Sequence, residues 1–167
     1  GARQQLLESL ERRTDVYINR INIGEIQWTR NSAPAPYDFE DKDIDSLIGA
    51  KHLGYRIIRL SPNNASFPMH LHNFAEEMFC VMNGQCTLKT PRGDVQVTEG
   101  DFIAFRPGDT GAHKFLNGGN APCTLLAIGV VLPHDVSEYP DSDKIFPFVA
   151  KRVFRKSEHI DYWTDEV

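Results

Sequence analysis

The stretch HLHNFAEEMFCVMNG, His70 to Gly84, decides the reading of this chain. Side chains at i and i+2 of a strand point to one face, about 6.6–7 Å apart at Cα. His70 and His72 therefore converge from one strand on a common point. Glu77 lies five positions beyond His72, an odd offset that an unbroken strand would send to the opposite face. A turn or bulge near Asn73 to Ala75 must bring Glu77 back inward, with Glu76 facing out. From Glu77 the inward positions continue at Phe79 and Val81. Asn83-Gly84 ends the run, and Asn-Gly between apolar runs is the strongest short hairpin signal.

Outward from this stretch the same grammar repeats. Apolar runs are separated by Ser61-Pro62-Asn63-Asn64, Pro91-Arg92-Gly93-Asp94, Glu99-Gly100-Asp101, Pro107-Gly108-Asp109 and Asn117-Gly118-Gly119-Asn120. Short strands at such spacing predict an all-β sandwich or barrel over residues 53–132. No helical period of useful length interrupts them, which argues against alternating β and α units. His113 follows the Pro107-Gly108 turn and is the fourth ligand candidate. Alternation from it puts Phe115 and Asn117 inward. Imidazole and carboxylate together suit zinc and other borderline divalent metals.

These motifs closely resemble those of the cupin superfamily. The family's first motif, Gly-x5-His-x-His-x3–4-Glu-x6-Gly, is met by His70, His72, Glu77 and Gly84. Asn64 stands where its leading glycine would be. The second motif is met by Gly100, Pro107-Gly108, His113 and Asn117. The resemblance covers residues 53–132. It implies a double-stranded β-helix barrel holding one divalent metal ion (Zn, Mn, Ni or Fe) on His70, His72, Glu77 and His113. Tyr139-Pro140-Asp141-Ser142-Asp143-Lys144 also resembles a group of single-domain bacterial cupins labelled, by similarity, sugar-phosphate isomerases. Cupins commonly dimerise, so the resemblance implies a homodimer.

Composition sets the outer bounds. The chain has 167 residues, 41% hydrophobic and 25% charged, as a folded domain does. Its net charge is −5, which disfavours nucleic acid as a partner. Cys80, Cys86 and Cys123 match no zinc or redox spacing and read as small buried hydrophobes. The longest apolar run, 125–132, is too short to span a membrane and reads as a core strand. With no basic-then-apolar leader in view, a cytoplasmic location is the expectation.

The flanks read less sharply. Residues 2–13 place Leu6, Leu7 and Leu10 at helical spacing. Residues 16–29 read as strand, 31–37 as loop and 41–45 as solvated acidic chain. Residues 1–52 thus form an extension that packs on the barrel or exchanges with a second copy. Residues 133–167 form a C-terminal loop and tail: 134–144 loop, 146–154 a final strand, and 159–167 a tail that packs on the barrel through Tyr162 and Trp163. His52, His134 and His159 read as ordinary surface histidines. Arg106 and Lys114 read as solvated charges, and Tyr139, Asp141 and Ser142 as a turn or a lid over the barrel mouth.

Four protein ligands on an octahedral ion leave two positions for substrate. That suits a Lewis acid gripping a hydroxy-carbonyl compound, and equally a ferrous ion with dioxygen. The leading expectation is an enzyme acting on a small polar metabolite, with sugar or sugar-phosphate isomerisation as the best guess. An iron-dependent dioxygenase and a non-catalytic binding protein are the alternatives. No general base is assigned from the sequence.

Overall fold

The structure, a computed structural model, describes residues 19–31 and 33–166. Its strands in chain order are β1 (Thr29–Asn31), β2 (Phe39–Asp43), β3 (Leu53–Leu60), β4 (Leu71–His72), β5 (Glu77–Asn83), β6 (Gln85–Thr90) and β7 (Gly93–Thr98). They continue with β8 (Phe102–Phe105), β9 (Lys114–Leu116), β10 (Cys123–Val130), β11 (Val136–Tyr139), β12 (Lys144–Pro147) and β13 (Phe154–Arg155). One helical turn, Asp45–Ile48, joins β2 to β3. The expected helix over 2–13 lies outside the described residues.

All strand pairs are antiparallel. One layer is a six-stranded sheet in the order β1-β2-β3-β10-β5-β8. The other is built from a four-stranded sheet, β13-β12-β11-β4, and a three-stranded one, β7-β6-β9. His70 and His113 stitch these two together: each donates its backbone N–H to the other's carbonyl, at 3.2 and 2.9 Å. Two metal-ligand candidates therefore sit on the seam of the second layer.

Alternation read from the sequence holds where both layers contribute to the core. Phe79, Val81, Phe115 and Asn117 are all buried. Phe79, Val81 and Phe115 join Phe39, Ile58, Leu60, Cys86, Leu88, Val97, Phe105, Cys123 and Leu125 in one cluster between the layers. Each fully buried Leu, Ile, Val or Phe contributes roughly 1.5–3 kcal/mol, so this cluster fixes the register of both sheets. Gly84 turns the β5–β6 hairpin at φ +81°, and a Cβ there would meet the Pro122 carbonyl oxygen at 2.5 Å. At the earlier turn the left-handed residue is Asn63 (φ +66°), next to the Asn64 that replaces the motif glycine.

The flanks differ from their sequence reading. The acidic segment 41–45 is not free chain, because β2 pairs with β3. Cross-strand cations explain it: Arg59 binds Glu40, Arg56 lies 3.3 Å from Asp41, and buried Phe39 anchors the strand. The strand expected over 16–29 extends onto undescribed residues. In its described part, Ile23–Glu25 is a 3-10 turn capped by Asn22, whose side chain accepts from the Gly24 N–H. A local side-chain bond prevails there over weak alternation.

Residues 134–144, expected as loop, contain β11, and the single strand expected over 146–154 is instead β12 and β13 around a turn. Polar Ser137 and Glu138 hid β11, because its inward face meets histidine rather than hydrocarbon. The tail does not pack on the barrel: Ile160, Tyr162 and Trp163 are 75–81% exposed. Among the described residues, no helix is long and apolar enough to cross a membrane.

Candidate metal centre

His72 lies in β4 and His70 just before it. Glu77 opens β5 after the bend at Asn73 and Phe74. His113 precedes β9, following a 3-10 turn over Asp109–Gly111. Gly111 makes that turn possible, since a Cβ there would lie 1.9 Å from the Arg106 carbonyl oxygen. Both layers thus deliver side chains to one end of the barrel.

Glu77 comes near all three imidazoles. Glu77 Oε2 is 3.6 Å from His70 Nε2, 3.3 Å from His72 Nε2 and 3.5 Å from His113 Nε2. The ligand atoms of His70, Glu77 and His113 all lie within 4.8 Å of one another, a group that can hold a metal ion. Two donors bound at about 2.1 Å to one ion sit about 3.0–3.5 Å apart, close to the 3.3–3.6 Å between Glu77 Oε2 and each imidazole; His72 approaches Glu77 but lies outside the mutually close group.

Each imidazole is also aimed. His70 Nδ1 is 2.9 Å from the Pro68 carbonyl, and His113 Nδ1 is 2.9 Å from that of Gly111. His72 Nδ1 is 2.5 Å from Asp135 Oδ2, with Ser137 Oγ at 3.3 Å. Donation from each Nδ1 leaves Nε2 as the nitrogen that faces Glu77 Oε2. Glu77 Oε2 and His113 Nε2 are buried without a hydrogen-bond partner. Such atoms are costly to bury unless something meets them.

The charge balance follows from this crowding. Burial pushes the Glu77 carboxyl up, but His70, His72 and His113 outweigh it and hold it well below the usual carboxylate range. Burial opposes charge on His72, yet the Glu77 and Asp135 carboxylates raise its pKa to about 9. Burial, with His70 beside it, lowers His113 to about 4. Phe105 stacks on the His113 ring, centroids 3.7 Å apart, and Phe79 flanks it at 5.5 Å.

Residues 56–129 match the cupin domain model. The chain carries a cupin domain. Its barrel is similar to solved structures over most of its length. The provisionally named sugar phosphate isomerase from Acidithiobacillus ferrooxidans is 23% identical, with a TM-score of 0.78 over 85% of this chain and 95% of that one. The sugar phosphate isomerase of the cupin superfamily from Silicibacter pomeroyi is also 23% identical, with a TM-score of 0.74 over 86% and 97%. The polyketide cyclase RemF from Streptomyces resistomycificus is 22% identical, with a TM-score of 0.59 over 68% and 79%. At these identities the likeness is one of fold. No curated protein matches the chain at a significant level.

Of the other candidates, Tyr139 reaches the site, and Lys114 and His134 do not. Lys114 turns outward to the Tyr37 hydroxyl, and His134 packs beside Phe74. Pro140–Ser142 form a 3-10 turn, while Tyr139 just before it stacks at 6.2 Å on His70. Asp135 was not legible as a site residue. It is 1% exposed and accepts from His72 and from the N–H groups of Phe74 and Ala75. The only local signal for it was an acidic residue beside an apolar one in a presumed loop. Its partners are about sixty positions away.

Proposed function

We propose that His70, His72, Glu77 and His113 of this cupin hold one divalent metal ion, and that the chain is a metal-dependent enzyme acting on a small polar hydroxy-carbonyl metabolite. Aldose–ketose isomerisation of a sugar or sugar phosphate is the reaction we infer. One observation carries the reading: three imidazoles, each fixed through Nδ1, aim Nε2 at the point that buried Glu77 Oε2 also faces. The names of two solved cupins with similar barrels support the choice of substrate class.

A bound divalent ion would supply Lewis-acid polarisation of the substrate carbonyl. The chain's own residues do the rest. Asp135 accepts from His72 Nδ1 and holds the ring in place, so Nε2 faces the site and is ready for a metal once it gives up its proton. Phe79, Phe105 and Phe115 close the barrel beneath His113 and exclude water from that side. Tyr139 and Phe148 stand over His70 and His72, with ring centroids at 6.2 Å from each, and form the wall a substrate meets.

Elemental analysis of natively purified protein tests the metal. About one ion per chain is expected, and its loss in His72→Ala. The reaction is tested by incubating the loaded protein with four- to six-carbon aldoses and their phosphates in D2O. Ketose carrying deuterium at C1, with deuterium at C2 of the recovered aldose, is the expected result. Dioxygen uptake in place of isomerisation, or no ion in the wild type, overturns the reading.

A further inference from the structure

The β11–β12 hairpin carries a row of side chains outward from the metal-site candidates. Directly opposed residues of an antiparallel pair project to one face, and so do alternate residues of one strand. Ser137 opposes both His72 and Phe146, Tyr139 opposes Lys144, and Lys144 opposes Arg155. That face looks at the histidines: Ser137 Oγ is 3.3 Å from His72 Nδ1, and the Tyr139 ring stacks on His70. Glu138, one step out of phase, turns the other way and bonds Asn73 and Lys156. From His70 outward the row therefore reads Tyr139, Lys144, Arg155.

The row changes from aromatic to cationic as it leaves the site. Lys144 Nζ lies 5.4 Å from the centre of the Tyr139 ring, and it makes no ion pair among the described residues. Among the described residues, Arg155 beyond it pairs with the exposed Glu158, at 3.2 Å. A pair that exposed is readily exchanged for another anion. Strands about 4.8 Å apart put the Lys144 backbone two strands, about 10 Å, from His70. A short sugar chain with a charged end group spans that order of distance.

We propose that Lys144 is the second anchor of the substrate. Its ammonium, seated on the Tyr139 ring, receives an anionic end group, phosphate monoester or carboxylate, while the hydroxy-carbonyl end meets His70, His72, Glu77 and His113. This rests on the metal-site reading above and adds to it that the substrate is an anion recognised at a distance from the metal. The sequence shows no arginine cluster or glycine-rich cradle for phosphate. The cations come together only because β12 and β13 lie side by side.

The test uses full-length protein loaded with cobalt(II), read by its visible absorption. It is titrated with arabinonate, arabinonate 5-phosphate and the diacid arabinarate. All three chelate through the hydroxy-acid end; the last two add a distal anion. A charge-assisted contact predicts at least about tenfold tighter binding of one distal-anion probe than of arabinonate, and whichever is tighter names the end group. Lys144→Gln should bring that ratio to within about twofold, with arabinonate binding unchanged, and Lys144→Arg should keep it. A ratio unchanged in Lys144→Gln, or absent in the wild type, overturns the proposal while the metal site stands. Failure to take up cobalt, or no spectral response to any of the three, overturns the metal-site reading and this proposal with it.

Discussion

Asp135 Oδ2 lies 2.5 Å from His72 Nδ1, joining two residues 63 positions apart in the chain. Its other carboxylate oxygen receives the N–H groups of Phe74 and Ala75, in the bend that returns Glu77 to the site. One buried carboxylate thus sets both the tautomer of one ligand candidate and the turn between two of them. Asp135→Asn keeps an acceptor for the bend but turns an amide N–H2 toward His72 Nδ1–H. The imidazole then favours the tautomer whose ligand nitrogen is protonated. Metal affinity is expected to fall about 10–100-fold, measured by competition with a chromophoric chelator, with the far-ultraviolet circular dichroism unchanged.

Metal uptake should depend on pH through His72. In the metal-free chain its pKa is raised to about 9, so at neutral pH Nε2 holds a proton that a metal must displace. Affinity is expected to rise about tenfold per pH unit from pH 7 toward 9 and to flatten above. About one proton per ion should be released to a weakly buffered solution at pH 7. His113, lowered to about 4, is already neutral there and adds nothing to the slope. The same shift acts on stability. A folded pKa raised above the ordinary histidine value stabilises the metal-free fold below about pH 6.5. That contribution is lost as pH climbs through about 9, so the melting temperature without metal should fall over that interval.

Metal should stabilise the fold by mass action. At a free concentration one hundred times Kd the gain is about 2.7 kcal/mol. For a chain of this size that corresponds to a rise in melting temperature of roughly 5–10 °C. Calorimetry with and without metal reads it directly. Glu77→Gln and His113→Ala should each abolish the rise.

Gly111→Ala tests the turn that delivers His113. Its new Cβ would lie 1.9 Å from a backbone oxygen that cannot rotate away. The turn must move, at a cost of about 1–3 kcal/mol, and His113 moves with it. Loss of metal binding alongside a lowered denaturation midpoint is expected. Retention of both would show that the turn has slack.

Removal of residues 159–167 should leave stability nearly untouched. Ile160, Tyr162 and Trp163 are largely exposed, and exposed substitutions usually change stability by less than about 0.5 kcal/mol. Trp163 should also fluoresce at the wavelength of a solvated indole. A clear destabilisation on truncation, or blue-shifted emission, would contradict the exposed tail.

The sequence by itself determined what short-range rules govern. Period-two alternation set Phe79, Val81, Phe115 and Asn117 inward. Asn83-Gly84 set the hairpin, and the odd offset from His72 to Glu77 required the bend seen at Asn73 and Phe74. These are properties of neighbours in the chain, and neighbours are what a sequence displays. Tertiary structure decided the rest. Asp135, Lys144 and Arg155 acquire their roles from strands that pair across long intervals, in a segment whose inward face meets imidazoles instead of hydrocarbon and so shows no apolar period. Glu40, Asp41 and Asp43 sit in a strand whose partner brings Arg56 and Arg59 to them, and cross-strand charge is invisible until the register exists. The metal-site candidates were legible because the two histidines and the glutamate are close in sequence; the side chains that aim and flank them were not, because only folding brings them near.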